Sequence, residues 1–242
     1  MQAIETKNLT KRYGQLTAVA HLDLEIRRGE LFSLLGVNGA GKTTVIKMLS
    51  CLTRPSEGEA RVGGRSVTGE PGRVKEIIGV SPQETAVAPN LSVKEKLELI
   101  CGIHGFSREK TAQRVRSLCA DFSLEPVLDR KAGKLSGGWQ RRVSIAMALI
   151  SEPTILFLDE PTLGRDVLVR HELWELIRSL KGKITIILTT HYMEEAAALS
   201  DRIGIMKNGR LLAVGTAAEL MSRAGTGDFE SAFVAIVKED AR

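Results

Sequence analysis

Gly36-Val37-Asn38-Gly39-Ala40-Gly41-Lys42-Thr43-Thr44 is the stretch that decides how this chain folds. It fits the spacing GxxxxGK[ST], in which backbone N–H groups wrap a string of phosphates and the N-terminus of the next helix faces them. Each residue type has its reason. Glycine permits close backbone approach and dihedrals that other residues resist. Lys42 sets a point charge where β- and γ-phosphates would lie, and the Thr43 hydroxyl is a hard oxygen of the kind Mg²⁺ takes. A glycine turn that merely caps a helix would explain the glycines but not the lysine and threonine at that spacing. Upstream, Leu31 to Leu35 is apolar without a break apart from Ser33, as a strand buried on both faces is; downstream, Thr43 to Leu52 carries apolar residues at helical spacing. The order is strand, phosphate loop, helix.

The same alternation continues outward. Strands are predicted at Thr154 to Leu158, at Thr185 to Leu188, and in a hairpin from Arg202 to Val214 turned by Asn208-Gly209. Strands interleaved with amphipathic helices predict an α/β fold built on a mainly parallel sheet. Between Gln83 and Ile150 the strand signal fades. Helices are predicted there at Val93 to Cys101 behind a Ser92/Glu95 capping box, at Arg108 to Cys119 and at Gly138 to Ile150. The expected division is therefore a sheet lobe (1–82 and 152–222), an inserted helical lobe (83–151) and a C-terminal tail (223–242). A second capping box, Thr216 with Glu219, opens a short helix before the tail, in which Phe229, Phe233 and Ile236 share one face.

Bulk properties exclude several classes. A hydrophobic fraction of 43% and a charged fraction of 26% are those of an ordinary globular protein, so neither disorder nor a fibrous repeat is indicated. The net charge of +5 is spread along the chain, and few aromatics stand beside the basic pairs to stack on bases, so no nucleic-acid partner is expected. Cys51, Cys101 and Cys119 form no CxxC pair and read as reduced, buried thiols. No stretch is long and apolar enough to cross a bilayer, and Met1 to Glu5 does not begin a signal peptide. A membrane role would come through another chain.

Two further stretches carry chemistry. Ile155-Leu156-Phe157-Leu158-Asp159-Glu160 is an apolar strand that ends in two carboxylates, one suited to holding Mg²⁺ and the next to activating water. Leu135-Ser136-Gly137-Gly138 precedes a helix, with Ser136 in the N-cap position and N–H groups on offer to an anion. Capping does not explain its company, Arg141-Arg142 just after it and the two-carboxylate strand one helix further on.

In this order the motifs resemble the nucleotide-binding subunit of ATP-binding cassette (ABC) transporters over nearly the whole chain. The resemblance implies a RecA-like P-loop NTPase fold with an N-terminal antiparallel β portion and an inserted helical lobe. It makes Gly36 to Thr44 the Walker A loop for ATP, Thr154 to Glu160 the Walker B strand, Leu135 to Gly138 the signature, and Leu163 to Asp166, with Gly164, the D-loop. By position Tyr13 resembles the aromatic residue that stacks on adenine. Gln83 resembles the glutamine that reaches Mg²⁺ and the attacking water, and His191 the switch histidine that senses the γ-phosphate. The implied catalytic set is Glu160, His191, Gln83 and Lys42, with Thr43, Gln83 and Asp159 about Mg²⁺. The implied partners are a second such subunit, whose signature completes the site in trans, and separate integral membrane permease subunits that hold the chain at the cytoplasmic face of the membrane.

The sequence departs from the family pattern in two places. Trp139 and Gln140 follow the signature glycines where glutamine commonly follows directly, and Arg165 stands where the D-loop usually has leucine. The compact single cassette and the run Gly29 to Thr44 look like ATPase subunits of ABC-2 type bacterial exporters. The alternative is a soluble ABC ATPase that acts on nucleic acid or ribosomes, but such forms generally carry long coiled coils or two cassettes, and neither is found here. A cassette that binds ATP without hydrolysing it is opposed by the intact set Lys42, Gln83, Asp159, Glu160 and His191.

Overall fold

A computed structural model describes residues 2–84 and 88–239. The chain opens with two long strands, β1 (Gln2–Tyr13) and β2 (Leu16–Arg27), paired antiparallel across a tight turn at Gly14. β3 (Leu31–Leu35) leads into α1 (Lys42–Leu49), and β4 (Glu57–Val62) and β5 (Arg65–Ser66) then return to β1. After α2 (Pro71–Lys75) and β6 (Ile78–Ser81) come α3 (Val93–Ile103), α4 (Arg108–Phe122) and α5 (Gly137–Ala148). The remainder alternates: β7 (Ile155–Asp159), α6 (Val167–Leu180), β8 (Thr185–Thr190), α7 (Met193–Leu199), β9 (Arg202–Lys207), β10 (Arg210–Gly215), α8 (Ala217–Ala224) and α9 (Phe229–Glu239).

Two sheets result. One is antiparallel with strand order β2-β1-β4-β5, and the other has order β10-β9-β3-β8-β7-β6. Every pairing in the second sheet is parallel except the β9–β10 hairpin. Side chains alternate across a strand, so one strand feeds two cores. Phe157 and Ile155 join the core between the two sheets, which contains Ile4, Leu22, Phe32 and Val45. Leu156 and Leu158 point the other way, into a core shared with Leu97, Phe122, Val143 and Trp174 of the helices. A third cluster packs Phe233 and Ile236 of α9 and Leu220 of α8 on Leu35, Ile203 and Ile205. The tail's apolar face is thus covered by the chain's own sheet.

Both predicted capping boxes form, Ser92 with Glu95 and Thr216 with Glu219. Element ends shift by a few residues, for local reasons. α1 stops at Leu49 rather than Leu52 because the Ser50 hydroxyl donates to the Ile46 carbonyl (2.7 Å) and Cys51 turns to φ +57°. α4 runs on to Phe122 and is ended by Ser123 at φ +51°. β7 and β8 extend past the apolar run to Asp159 and Thr190, because parallel pairing carries the strands beyond their apolar residues.

One charge lies where hydrophobic periodicity puts a core residue. Lys96 shares the buried face of α3 with Val93 and Leu97, is 2% exposed, and its Nζ has no partner among the described residues. Burial pulls its pKa down from 10.5 to about 8. Between those values the unfolded chain binds the proton more tightly, so folding stability rises with pH across the window, and the full penalty is present below about 8. Lys96→Met should therefore raise the Tm at pH 7 by about 2–6 °C. The gap should narrow as calorimetric scans move from pH 8 to pH 10.

Candidate functional site

Parallel register brings the chemistry to one edge. Leu35 pairs with Thr190, and Asp159 with Thr189, so the carboxyl ends of β3, β7 and β8 lie side by side. Ligands of open α/β sheets gather at that edge. The segments that leave these three strands carry Gly36 to Thr44, Glu160 and His191. Asn38 to Thr44 and Glu160, with residues of β1, β2 and the 208–209 turn, line a cavity of about 630 Å³; His191 does not line it and reaches it only through its contact with Glu160.

Close packing holds the loop open. A Cβ on Gly36 would collide with the Met206 carbonyl oxygen. Gly41 stands at φ +100°, and a Cβ there would collide with the Ala18 carbonyl oxygen. The Asn208-Gly209 turn braces the loop from outside: Gly209 N donates to Ala40 O (3.1 Å) while Ala20 N donates to Gly209 O (2.9 Å). Val37, Asn38, Gly39 and Ala40 form the arch, and Lys42, Thr43 and Thr44 begin α1.

Lys42 is 6% exposed, and its Nζ donates to the carbonyls of Gly36 (2.7 Å) and Val37 (3.3 Å). The same Nζ stands 3.2 Å from Glu160 Oε1, while Glu160 Oε2 is 2.7 Å from His191 Nδ1. Glu160, itself 7% exposed, sits at φ +47°, a left-handed conformation unusual outside glycine. Its N–H is held by the carbonyl (3.1 Å) and hydroxyl (3.0 Å) of Thr189. Next to it, Asp159 Oδ1 accepts from Thr43 Oγ1 (3.2 Å) and from Thr189 Oγ1. This pair of hard oxygens fits Mg²⁺, which takes few protein ligands and keeps phosphates and waters for the rest. Among the described residues no group of three or more His, Cys, Asp or Glu side chains is placed to hold a metal ion. Gln83 and Tyr13 both line the cavity, Tyr13 half exposed at its mouth with Lys11 Nζ 5.0 Å from the ring centre.

Leu135 to Gly138 do not line this cavity. Leu135 is buried, Ser136 is exposed in the N-cap position of α5 without a side-chain capping bond, and Gly137 and Gly138 open the helix. The expectation that Ser136 caps the helix is corrected to that extent, and its hydroxyl stays available. A Cβ on Gly137 would collide with Arg165 Nη1, and one on Gly138 would come within 2.7 Å of Val169 Cγ1. Gly164 turns the chain at φ +68° and Asp166 caps α6, its Oδ1 accepting from Val169 N (3.0 Å).

Beneath the site lie polar groups whose burial the sequence did not reveal. Arg141 is 1% exposed; it donates through Nη1 to the carbonyl of Pro82, just before Gln83, and through Nη2 to the carbonyl of Asp159 (2.8 Å). Burial pulls its pKa down to about 10, with nearby Asp159 opposing. Glu195 is fully buried, and its Oε1 accepts from Thr162 Oγ1 (2.8 Å) and Trp174 Nε1 (3.1 Å). Trp174 belongs to the core, with its N–H satisfied this way. The signal for Glu195 was its spacing: it shares the buried face of α7 with Ala196 and Leu199. Thr189 and the 208–209 turn gave no chemical signal.

A phosphate loop between strand and helix, with an acid pair at the end of β7, one strand beyond β8 in the same parallel sheet, defines a nucleotide-hydrolysing P-loop ATPase. Comparison with known proteins narrows the class: residues 19–163 match the ABC transporter family model. The daunorubicin/doxorubicin resistance ATP-binding protein DrrA of Streptomyces peucetius is 41% identical over 93% of this chain and 68% of its own length. The Nod factor export ATP-binding protein I of Ralstonia nicotianae is 40% identical over 90% of the chain and 68% of its own length. Among solved structures, an ATP-binding subunit of an ABC transporter matches with TM-score 0.85 and 29% identity over 97% of this chain and 99% of that one. A dimeric ATP-binding cassette in a post-hydrolysis state, bound to ADP and Pi, matches with TM-score 0.79 and 28% identity over 88% and 98%. The chain belongs to the ABC transporter family, as its ATP-binding and ATP-hydrolysing subunit.

Burial pushes the Glu195 carboxyl up, against the lowering effect of its hydroxyl and indole donors. The folded state therefore holds this proton more tightly than the unfolded chain, and stability falls as pH rises from about 4.5 toward the folded value. Glu195→Gln should keep the acceptor oxygen and remove that decline in urea titrations. Glu195→Ala leaves two buried donors unpaired and should cost about 2–4 kcal/mol.

Proposed function

We propose that this subunit hydrolyses ATP at Glu160 and thereby drives an ABC-2 type exporter. The observation that carries the reading is the placement of one carboxylate, Glu160, between Lys42 Nζ (3.2 Å) and His191 Nδ1 (2.7 Å) at the opening of the phosphate loop. There Glu160 accepts the proton of the attacking water. Lys42 and the N–H groups of Gly36 to Thr44 hold the β- and γ-phosphates, His191 reads the γ-phosphate, and Tyr13 stacks on adenine. Thr43, Asp159 and Gln83 would hold Mg²⁺, which supplies positive charge to the phosphate oxygens when bound.

Leu135 to Gly138 act on the nucleotide of a second subunit, and Gly164 and Asp166 lie at the subunit contact. That they stand apart from the chain's own cavity supports this arrangement. The sheet lobe (1–82 and 152–222), the helical lobe (83–151) and the tail (223–242) then work as separate parts, the helical lobe transmitting closure to the membrane subunits. Attachment at the cytoplasmic face runs through separate permease chains. Among the described residues no helix is long and apolar enough to cross a membrane. The export role follows the names of the relatives, which are a drug-resistance and an export protein. Their cargo belongs to them.

Glu160→Gln should lower steady-state turnover by at least about 100-fold. ATP affinity, read by equilibrium dialysis, should stay within about threefold, since the variant keeps every proposed phosphate contact. Turnover within threefold of the parent would remove Glu160 from its role. Lys42→Ala should weaken ATP binding or turnover at least about tenfold, and unchanged values would count against the phosphate-loop reading.

A further inference from the structure

Arg165 is a cation without a counter-ion. It follows the turn at Gly164, and its guanidinium lies across the bare Cα of Gly137 in the first turn of α5, where a Cβ could not fit. Among the described residues its side chain makes no hydrogen bond or ion pair, and its Nε is buried and unpartnered. What surrounds it is positive. The start of a helix carries partial positive charge, and the guanidinium of Arg141 is near enough to repel it. A local conflict of this kind marks places where a ligand resolves it.

We propose that Arg165 contacts the γ-phosphate of ATP held by a second copy of this chain. The inference rests on the reading above, in which the Ser136 to Gly138 face meets the nucleotide of the other subunit. On that face the flexible guanidinium adds a formal charge to what are otherwise the Ser136 hydroxyl and backbone N–H groups. Its planar fork pairs with phosphate oxygens, which a leucine in this position cannot do. The contact supplies positive charge from across the interface to a terminal phosphoryl group whose oxygens carry the charge of the transition state. Gly137 is then a glycine for two reasons, to let phosphate approach and to let the arginine lie flat.

The test uses the full chain with Arg165→Leu and Arg165→Lys, alone and in the Glu160→Gln background. Arg165→Leu should lower kcat at least about tenfold and raise the ATP concentration for half-maximal dimerisation of the Glu160→Gln chain by a similar factor in analytical ultracentrifugation. Arg165→Lys should fall between. The Tm of Arg165→Leu should be equal to or above that of the parent, because an unpaired charge is removed. Unchanged kcat and dimerisation would overturn the proposal, as would a fall in Tm, which would make the arginine structural. Mixing Arg165→Leu with Lys42→Ala chains should restore turnover above that of either alone, since one of the two sites then has an intact loop facing an intact Arg165. No recovery would refute action across the interface. If the Glu160→Gln chain with Arg165 intact fails to dimerise with ATP, the shared-site reading falls, and this inference falls with it.

Discussion

The parallel pairing of β3 with β8 and of β8 with β7 is the interaction on which the site depends. It fixes Leu35 opposite Thr190 and Asp159 opposite Thr189, and so sets how far Lys42, Glu160 and His191 stand from one another. A slip of one residue in either pairing would turn every side chain of the strand to the other face. It would also take Asp159 away from Thr43 and Glu160 away from the Thr189 groups that hold its N–H. The two cores on either side of the sheet resist that slip. Alternate residues of β7 are committed to different cores, Phe157 to one and Leu158 to the other, so register is enforced from both faces.

Several features of the site lower stability. A non-glycine residue in the left-handed region costs on the order of 1–2 kcal/mol, and Glu160 is one. The Lys42–Glu160 pair is almost wholly buried, and its mutual attraction is largely offset by desolvation of both charges. Arg141 and Glu195 are buried charges with incomplete hydrogen bonding, each leaving one polar atom unpartnered among the described residues. Such terms suit a site whose polar groups are fixed in advance rather than one optimised for folding. Arg141 ties the Pro82 and Asp159 carbonyls together, so its cost is offset by keeping two segments of the site in a fixed relation.

Much of this was legible in the sequence, and the limits are physical. The phosphate loop was readable because glycine, lysine and hydroxyl positions are set by direct contact with phosphate. β3, β7 and β8 were readable because strands buried on both faces are almost continuously apolar. β1 and β2 gave a weaker signal, since each has one wet face and irregular pairing in which register shifts break the alternation. Glu195 and Arg141 escaped because a charged residue on an amphipathic helix usually faces solvent. What sets them apart is long-range: Thr162 and Trp174 meet Glu195 across 33 and 21 residues of chain. Arg165 was noticed as a departure from a family pattern, but its contact with Gly137 could be seen only once α5 and the turn before α6 were in place. Ser136 occupies the position a capping residue would, yet makes no capping bond, a distinction that sequence spacing alone does not make.

The order in which the strands come off the ribosome has a consequence of its own. β3 lies in the middle of its sheet, yet its neighbours β8 and β9 begin at Thr185 and Arg202, more than 150 residues later. At a synthesis rate of about 5–20 residues per second, the greasy segment Leu31 to Leu35 waits on the order of ten seconds or more before either neighbour exists. During that time the early hairpin of β1 and β2 can form but has no second layer to cover it. The nascent chain is therefore an unfinished and adhesive object for most of its birth, and a truncated product ending before Thr185 would never acquire a sheet at all around its central strand. The arrangement that gathers ligands at one edge of the mature molecule makes the newborn one dependent on being shielded until it is nearly complete.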